Sequence, residues 1–405
     1  EFMKKLSLVV STIMLSSTLF AASSFEEDTT GALKKESTKK SEDVTSIDEA
    51  FKEGKVSGTI ALYGQKVKND NRNVARNLAY GNGHLGIAYE TASFYGLNAK
   101  IEAKGNLKLG EQHKHDWKDN APFENSALIT QAYLQYERDN VISLKGGRYE
   151  GEYEWLTDYQ QGGVVEILPI PDTVIALGYS NKKAESGIDL SEDFHKPDLT
   201  NKGVYFLDIQ NKSLDIVTFN PYFYEMPDFG NFYGLKVSLD TDFFGINAQY
   251  AKSHANSTTY IDENGNDYKL EDGYIANLEL VGKISDFEAT LEYAKTSDKG
   301  GANMITAFGD SISPFEDGNY FYDLDAKTSY VNLTYSIFGV DLGALYGITK
   351  YSDGTDKFKE KELNLSVAYG FTDNLSAGLM WVNVDTNNSN DTKYNKYLAS
   401  VEYSF

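Results

Sequence analysis

Apolar and polar residues alternate along most of the chain from Val56 onward, most regularly in the last segment, residues 394–405. There the apolar residues occupy every second position, and the positions between them are mainly polar. A strand with this period has one apolar and one polar face. The apolar face points to a core in a soluble protein, and to lipid in an outer-membrane barrel, where the polar face lines the interior. The last segment alone leaves both alternatives open.

Turn residues divide the alternating region into eighteen segments of about ten residues, the length that a tilted membrane strand needs. The predicted strands begin near Val56, Tyr80, Leu97, Ala127, Val141, Gly163, Thr173, Gly203, Asp215, Asn231, Gly245, Tyr274, Phe287, Thr328, Val340, Glu362, Asn374 and Tyr394.

The connections between these segments alternate in length, with eight short turns between nine longer loops. An up-and-down outer-membrane barrel has short periplasmic turns and long outer loops, and an even strand number puts both termini in the periplasm. A soluble β-sandwich has no reason to separate its connections in this way. The pattern therefore predicts an all-β fold over residues 55–405: a transmembrane up-and-down antiparallel β-barrel of about 18 strands.

The N-terminal region has a different pattern. Glu1 and Phe2 are interpreted as cloning residues ahead of Met3, and two lysines, a short apolar run and small residues at 21–23 then predict a secretory signal peptide within residues 1–22. Residues 23–54 are polar and form a short periplasmic segment. Within it, Ser46 as N-cap, Glu49 three residues later and Gly54 as a stop predict one helix over 46–53.

Composition supports an exported barrel. The chain has 29 Tyr and 22 Phe, which favour strands and membrane interfaces, and it has no Cys, which removes disulfides and thiolate chemistry. After the N-terminus there is no run of 18 apolar residues, which excludes a helical membrane protein. The net charge of −22 argues against nucleic acid as a partner. No cofactor and no metal are predicted.

The third strand supplies the first candidate pore residues. If Leu97, Ile101 and Leu107 face outward, then Lys100, Glu102, Lys104 and Lys108 face inward, and the three lysines form a basic track along the pore. The alternative is a soluble amphipathic strand with a solvated lysine face.

The fifth strand adds Lys145 and Arg148 on either side of Gly146 and Gly147. The two basic residues are three positions apart, so regular alternation would turn one of them toward lipid. We therefore expect a β-bulge at the glycine pair that turns Arg148 inward.

The loop that follows, residues 151–162, carries Glu152, Glu154 and Asp158 among Tyr and Trp residues. Such a loop can fold into the lumen, pack its rings on the wall and present its carboxylates to the channel. Acids opposite the lysine track would then create a transverse field that selects solutes by charge. A surface loop with ordinary interface aromatics is the alternative.

Four blocks of sequence resemble OprD-like (Opr family) porins of the epsilon-proteobacterial type: MKKLSLVVSTIMLSSTLFAAS, SIDEAFKEGKVSGTIALYGQ, LKGGRYEGEYEWLTDYQQGGVVEI and the terminal YLASVEYSF. The resemblance implies an 18-stranded barrel, a constriction narrowed by inward-folded loops and passive uptake of ions and small hydrophilic solutes. In these porins a basic ladder guides carboxylated substrates, and Lys100, Lys104, Lys108 and Arg148 are the candidates here. The chain departs from the pattern in its acidity, which leaves a mild cation preference open.

The resemblance also implies partners and a location. Tyr403 and Phe405 are similar to the C-terminal signal that the barrel-assembly machinery reads in Gram-negative outer-membrane barrels. Outer-membrane lipid and lipopolysaccharide are the expected surroundings, and a monomer and a homotrimer are both left open.

The sequence also holds candidates for other chemistry. The stretch from His113 to Asp116 could hold a metal, but it lies in a long polar loop with no third ligand nearby in the sequence, and residues 262–267 match a calcium loop only loosely. A barrel enzyme needs a His beside a carboxylate or Ser, and only His84 lies within a predicted strand. An outer-membrane adhesin or receptor is the other alternative, because the loop at 297–327 is long.

Overall fold

The structure, a computed structural model, describes residues 43–118, 123–139, 141–197, 202–227, 229–256, 260–261, 267–268, 271–299 and 303–405. The predicted signal peptide and residues 23–42 lie outside the described residues. Among the residues described, no helix is long and apolar enough to span a membrane.

The described chain has one short α-helix, one 3-10 helix at Asn303–Thr306, a small two-stranded hairpin (Tyr260–Ile261 with Asp267–Tyr268) and eighteen long strands. The helix α1 is Ile47–Lys52. The long strands are β1 (Lys55–Asn69), β2 (Leu78–Glu90), β3 (Leu97–Glu111), β4 (Ala127–Arg138), β5 (Ile142–Glu150), β6 (Tyr159–Ile170), β7 (Thr173–Ala184), β8 (Val204–Leu214), β9 (Val217–Met226), β10 (Gly230–Asp240), β11 (Phe244–Ala255), β12 (Gly273–Ile284), β13 (Phe287–Thr296), β14 (Leu324–Ile337), β15 (Val340–Ser352), β16 (Lys357–Gly370), β17 (Leu375–Thr386) and β18 (Tyr394–Ser404).

The eighteen long strands form one closed antiparallel sheet. Each strand pairs with its neighbours in sequence, and β1 pairs with β18 from Thr59 opposite Ser404 to Asn69 opposite Tyr394. The last residue extends the seam, because Gly58 and Phe405 exchange backbone hydrogen bonds of 2.9 and 3.0 Å. A closed sheet has no unpaired edge, which is the condition for strands in lipid. The predicted 18-stranded up-and-down barrel is confirmed.

Connections of two lengths mark the two ends of the barrel. Connections of two to six residues, such as Ser285-Asp286 and Phe338-Gly339, lie at one end, which we call the turn end. Most connections at the other end, which we call the loop end, are longer, up to residues 297–323, although residues 227–229 and 353–356 are short.

The helix α1 is fixed at the turn end. Ser46 caps it by accepting a hydrogen bond of 3.1 Å from the Glu49 amide, and Thr45 donates to the Glu49 carboxylate. The Ala92 amide donates to the Ala50 carbonyl at 3.0 Å, and the Tyr89 hydroxyl donates to the Phe51 carbonyl. The N-terminal segment therefore contacts the β2–β3 turn.

The strands separate an exposed apolar face from a buried, largely polar one. In β18, Tyr397, Val401 and Tyr403 are exposed, whereas Lys396 and Ser400 are buried on the inner face. Tyr403 and Phe405 stack at the turn end with ring centroids 6.3 Å apart. Exposed rings at this level form the aromatic girdle expected at a membrane interface.

The inside of the barrel is filled in part by loops. One buried cluster joins residues of the loops 151–158 and 303–323 to inward side chains of β5–β15. A second cluster joins Phe123 and Ile188 to inward side chains of β1, β2, β17 and β18. Loops from the loop end thus narrow the lumen.

Candidate pore and its constriction

The inward face of β3 carries the first charged residues of the lumen. Lys100, Glu102 and Lys104 are half-buried and alternate with exposed Ile101 and Ala103, as the alternation predicted. Lys104 donates to the Tyr159 hydroxyl and to the Ser186 carbonyl at 3.0 Å, and its ammonium lies 4.8 Å from the Tyr159 ring centroid. Tyr159 of β6 and Ser186 of the loop 185–197 therefore cover Lys104, the middle lysine of the track.

Glu102 is held by a β-bulge in the neighbouring strand. The β3–β4 register shifts between Glu102 and Ala103, so that Thr130 is an extra residue of β4. Both Thr130 and Gln131 are then buried, and they donate to one Glu102 oxygen at 2.9 and 2.7 Å. Two donors fix this carboxylate against the wall.

Lys108 lies near the loop end of β3. It pairs with Glu111 at 2.8 Å and remains half-exposed. Glu111 also accepts a hydrogen bond of 3.3 Å from the Trp117 amide.

On β5, Lys145 lies between two rings, 5.3 Å from the Tyr133 centroid and 5.7 Å from the Tyr149 centroid. The predicted bulge at Gly146 and Gly147 is wrong, because β5 pairs with β4 and β6 in regular register throughout.

Regular alternation places Arg148 on the outward face, opposite Lys145 and buried Tyr149, which corrects the prediction that it lines the pore. Two features make this position tolerable. Arg148 is two residues from the loop end of β5, where a charge in the lipid face costs about 0–1 kcal/mol. It also donates to Gln161 and to the Ile129 carbonyl, both at 3.1 Å, and lies under the Phe194 ring.

The loop 151–158 folds into the lumen. Tyr153, Trp155 and Leu156 are buried in the first cluster, and Tyr153 donates to Glu166 of the wall at 2.8 Å. The ring contact between Tyr153 and Phe206, with centroids 4.8 Å apart, fixes the loop against β8. Aromatic packing on the wall agrees with the first of the two interpretations made for this loop.

The three acids of this loop differ in their surroundings. Glu154 is buried and pairs with Lys236 at 3.1 Å, and it accepts from Gln249 and Ser311, both at 2.9 Å. Asp158 is buried and pairs with Lys183 at 2.9 Å. A buried carboxylate requires such partners. The expectation that Glu154 and Asp158 face the open channel is therefore corrected, while Glu152 is exposed.

Glu150 shares the parity of Arg148, but it is the last residue of β5, and its carboxylate lies with Glu152 and the lysines of β3, not across the lumen from them. The Glu150 carboxylate is attracted by Lys104 and Lys100 and repelled by Glu102 and Glu152. These five charges are called the constriction cluster below. The sequence predicted acids across the lumen from the lysines. In the structure, acidic and basic side chains are intermixed in this one cluster.

Two further loops narrow the lumen, and sequence reasoning did not place them there. Residues 185–197 pass over β2 and β3, where Asn82 donates to the Ile188 carbonyl at 2.8 Å. The tip of the loop 297–323 reaches β16 and β18, where Lys396 pairs with Glu316 at 2.7 Å and Asp317 at 2.9 Å. Glu362 accepts from the Asp317 and Gly318 amides at 3.1 and 2.9 Å.

Inward lysines were a signal for loops that fold into the lumen. Lys183, Lys236 and Lys396 stand at inward positions of their strands, and each of them pairs with an acid of a loop. A lysine buried inside the barrel needs a counter-charge, and acidic residues of the loops supply it.

Asp189, in the loop 185–197, shows what this enclosure does to a carboxyl group. Burial raises the pKa of Asp189 to about 6, although Lys396 and Lys104 act in the opposite direction.

Two histidine sites have structural partners. His84 is buried and its Nδ1 lies 3.0 Å from the Asn106 amide oxygen. Asp116, near His113, is buried and pairs with Arg76 at 2.8 Å. It also accepts from the Ala79 and His113 amides, so it organises the loop after β3.

Comparison with known proteins identifies the family. Residues 57–271 match the model of the family described as "Putative outer membrane protein" (HP_OMP_2). The chain belongs to this family. It is accordingly an outer-membrane β-barrel, with the strands described above as its membrane spans. In a comparison with curated proteins, none matches.

Solved structures share the barrel at low sequence identity. OccAB4 of Acinetobacter baumannii matches with a TM-score of 0.68 and 15% identity over 87% of this chain and 98% of its own. OccK8 (OprE) of Pseudomonas aeruginosa matches with a TM-score of 0.68 and 12% identity over 88% and 99%. OpdK of Pseudomonas aeruginosa, solved with vanillate, matches with a TM-score of 0.63 and 11% identity over 86% and 98%. At these identities the likeness establishes the fold.

Proposed function

We propose that this outer-membrane protein is a porin, a water-filled channel for passive diffusion of ions and small hydrophilic solutes. The observation that carries the proposal is the constriction cluster: charged side chains face the inside of a closed barrel at the level where loops narrow it. Charged rings and loops at a narrowing are how diffusion pores select solutes. The fold shared with the Occ and Opd porins supports the same function.

The proposal also covers the orientation of the barrel, its assembly signal, its type and its pore-lining residues. The short turns and α1 face the periplasm, as in other barrels with loops of unequal length. Tyr403 and Phe405 form the signal for the barrel-assembly machinery. The four sequence blocks that resemble OprD-like porins favour the epsilon-proteobacterial type. Lys100, Glu102, Lys104, Lys145 and Glu152 line the aqueous path.

The ion preference follows from the constriction cluster. It contains three carboxylates and two ammonium groups, and Lys104 is already engaged by Tyr159 and Ser186. We infer a mild cation preference. OpdK was solved with vanillate, which is an aromatic carboxylate. Aromatic carboxylates are therefore the solutes with which to test for an anion preference instead.

Planar-bilayer recording tests the proposal. The refolded protein should insert and give discrete conductance steps, and a salt gradient should give a reversal potential of cation sign. Lys100→Glu should shift that potential further toward cations and Glu152→Gln toward anions, because they add or remove negative charge at the constriction. Arg148→Gln is the matched control and should leave the potential unchanged, since Arg148 lies on the outward face. Insertion without ion flux would refute the porin proposal.

A further inference from the structure

Four lysines of four adjacent strands stand directly beside one another on the outward face. Lys295 of β13 is opposite Lys327 of β14, Lys327 is opposite Lys350 of β15, and Lys350 is opposite Lys359 of β16. We call these four residues the lysine row. Neighbouring strands are about 4.8 Å apart, so the row spans about 14 Å.

The lysine row has a defined height on the barrel. Each member lies within three residues of the loop end of its strand. Exposed apolar and aromatic side chains, among them Tyr293 and Tyr346, follow directly on the same outward face toward the turn end. From Tyr335 near the turn end, Lys327 is eight residues along β14, or about 26 Å of strand. At a strand tilt of about 35–45° this is about 20 Å along the membrane normal, close to the apolar band of about 25 Å, so the row lies near the level of the outer headgroups.

The protein itself neutralises only part of this surface. Within the row Lys327 pairs with Asp325 at 2.7 Å, and beside the row on β16 Lys361 pairs with Asp385 at 3.4 Å. Among the residues that the structure describes, the adjacent members Lys350 and Lys359 form no ion pair. Like charges directly opposite each other destabilise a sheet. In a chain with a net charge of −22, an uncompensated lysine pair here is best explained by an anion supplied from outside.

An apolar groove opens on the same outward face, toward the turn end. It runs across β16–β18 to β1, has a volume of about 590 Å³, and is lined by Leu365, Val367, Leu379, Trp381, Tyr397 and Ala399. Leu365 lies six residues from Lys359, the row member on the same strand, about 20 Å along the strand. A lipid whose headgroup touches the lysines can place an acyl chain in this groove.

We propose that the lysine row is a binding site for the phosphate groups of an acylated glycolipid of the outer leaflet, with the groove receiving one of its acyl chains. Ammonium groups at fixed spacing attract phosphates as point charges, and the row width fits a lipid that carries more than one phosphate. The site lies outside the pore, so the proposal goes beyond the proposed channel function and does not depend on it.

Native mass spectrometry of the intact detergent-solubilised protein tests the proposal, with diphosphoryl lipid A and its dephosphorylated form as probes. The wild-type protein should bind the diphosphoryl lipid at least tenfold more tightly than the dephosphorylated one. A lysine near an anionic lipid surface contributes about fivefold, so Lys350→Gln with Lys359→Gln should weaken binding about 25-fold. Lys350→Arg with Lys359→Arg should stay within about threefold of the wild type, because the charges remain.

The matched control removes two outward lysines that face no other lysine across a strand pair, Lys68→Gln with Lys252→Gln. It should change binding less than threefold. An equal loss of lipid binding in the control and in the row variant would mean diffuse electrostatic attraction and would overturn the site. Equal binding of the two lipids by the wild-type protein would overturn it as well. A dimer that the row variant abolishes would assign the surface to a second copy of the chain. The comparison of the two lipids uses wild-type protein only, so it stands even if a variant fails to fold.

Discussion

Lys396 is the residue on which the position of the longest loop depends. Its side chain is 9% exposed and touches both Glu316 and Asp317 at the tip of the loop 297–323. Removing one partner from such a buried group of charges costs about 3–5 kcal/mol, because the others remain desolvated without a counter-charge.

We predict that Lys396→Met releases the loop tip from the wall. The single-channel conductance should rise and the open-channel noise should increase, both measured in planar bilayers, while heat-modifiable electrophoretic mobility should still show a folded barrel. Adding Glu316→Gln and Asp317→Asn to Lys396→Met should restore wild-type conductance, since the two acids that lose their lysine are then uncharged as well. A quiet Lys396→Met channel of wild-type conductance would contradict this prediction.

At the scale of single residues, alternation predicts a side chain's face but not its partner. It placed Lys100, Glu102 and Lys104 correctly on the inner face, and applied to β10 and β18 it would also have found Lys236 and Lys396. Lys183 escapes it, because Asn181 is an extra residue of β7 in the pairing with β6 and shifts the alternation by one position. Glu154 and Asp158 could not be placed in this way. They lie in a loop, where no period applies, and their burial depends on contacts with residues far away in sequence.

At the scale of elements, Gly147 explains the glycine pair of β5 that suggested a bulge. Its backbone has a φ of 132°, a conformation that favours glycine, and a Cβ atom there would lie 2.2 Å from the Ala132 carbonyl oxygen. The strand passes this point in regular register because glycine permits the close approach to β4.

We predict that Gly147→Ala destabilises the barrel by about 2 kcal/mol or more, measured as a lower urea midpoint of the refolded protein in lipid vesicles. Gly146→Ala is the matched control, since a Cβ at Gly146 meets nothing within 4 Å and its φ is ordinary. Its midpoint should change by no more than about 0.5 kcal/mol in equivalent stability. Equal effects of the two substitutions would show that the positive φ and the close contact are unimportant.

The strand boundaries show where a sequence pattern stops being informative. The predicted starts of β3, β4, β7, β13, β15 and β18 coincide with the observed first residues. The largest difference is in β16, predicted from Glu362 and observed from Lys357. Its first outward residues are Lys357, Lys359 and Lys361, so the segment has no apolar face although it pairs with β15. Alternation detects a strand only where the strand passes through lipid.

At the scale of the whole molecule, strand number and closure were predictable because lipid tolerates neither an unpaired edge nor a polar outward face. The interior was not predictable to the same extent. Three loops fill part of it, and which loops turn inward depends on partners such as Lys183, Lys236 and Lys396 on distant strands. The fold thus follows from the solvent around the barrel, and the constriction follows from contacts inside it.

The chain has no cysteine, so an engineered pair of cysteines can test whether the barrel is closed between β1 and β18. Leu62 of β1 and Val401 of β18 are directly opposite and exposed on the outward face. In the variant Leu62→Cys with Val401→Cys, the only two thiols should form a disulfide that links the chain ends across the seam. Chain-entropy reasoning for so long a loop gives about 6 kcal/mol of stabilisation, and disulfides usually contribute about 0–5 kcal/mol. The urea midpoint of the oxidised protein should therefore exceed that of the reduced protein.

The control pair is Leu62→Cys with Leu291→Cys, because Leu291 is exposed on the outward face of β13, a strand that does not pair with β1. It should give no intramolecular disulfide under the same oxidation. Conductance of the oxidised seam variant should equal that of the wild type, since both cysteines point away from the lumen. A seam pair that stays reduced, or that cross-links no better than the control, would mean that β1 and β18 are not neighbours, and the sheet would then have the open edge that lipid forbids.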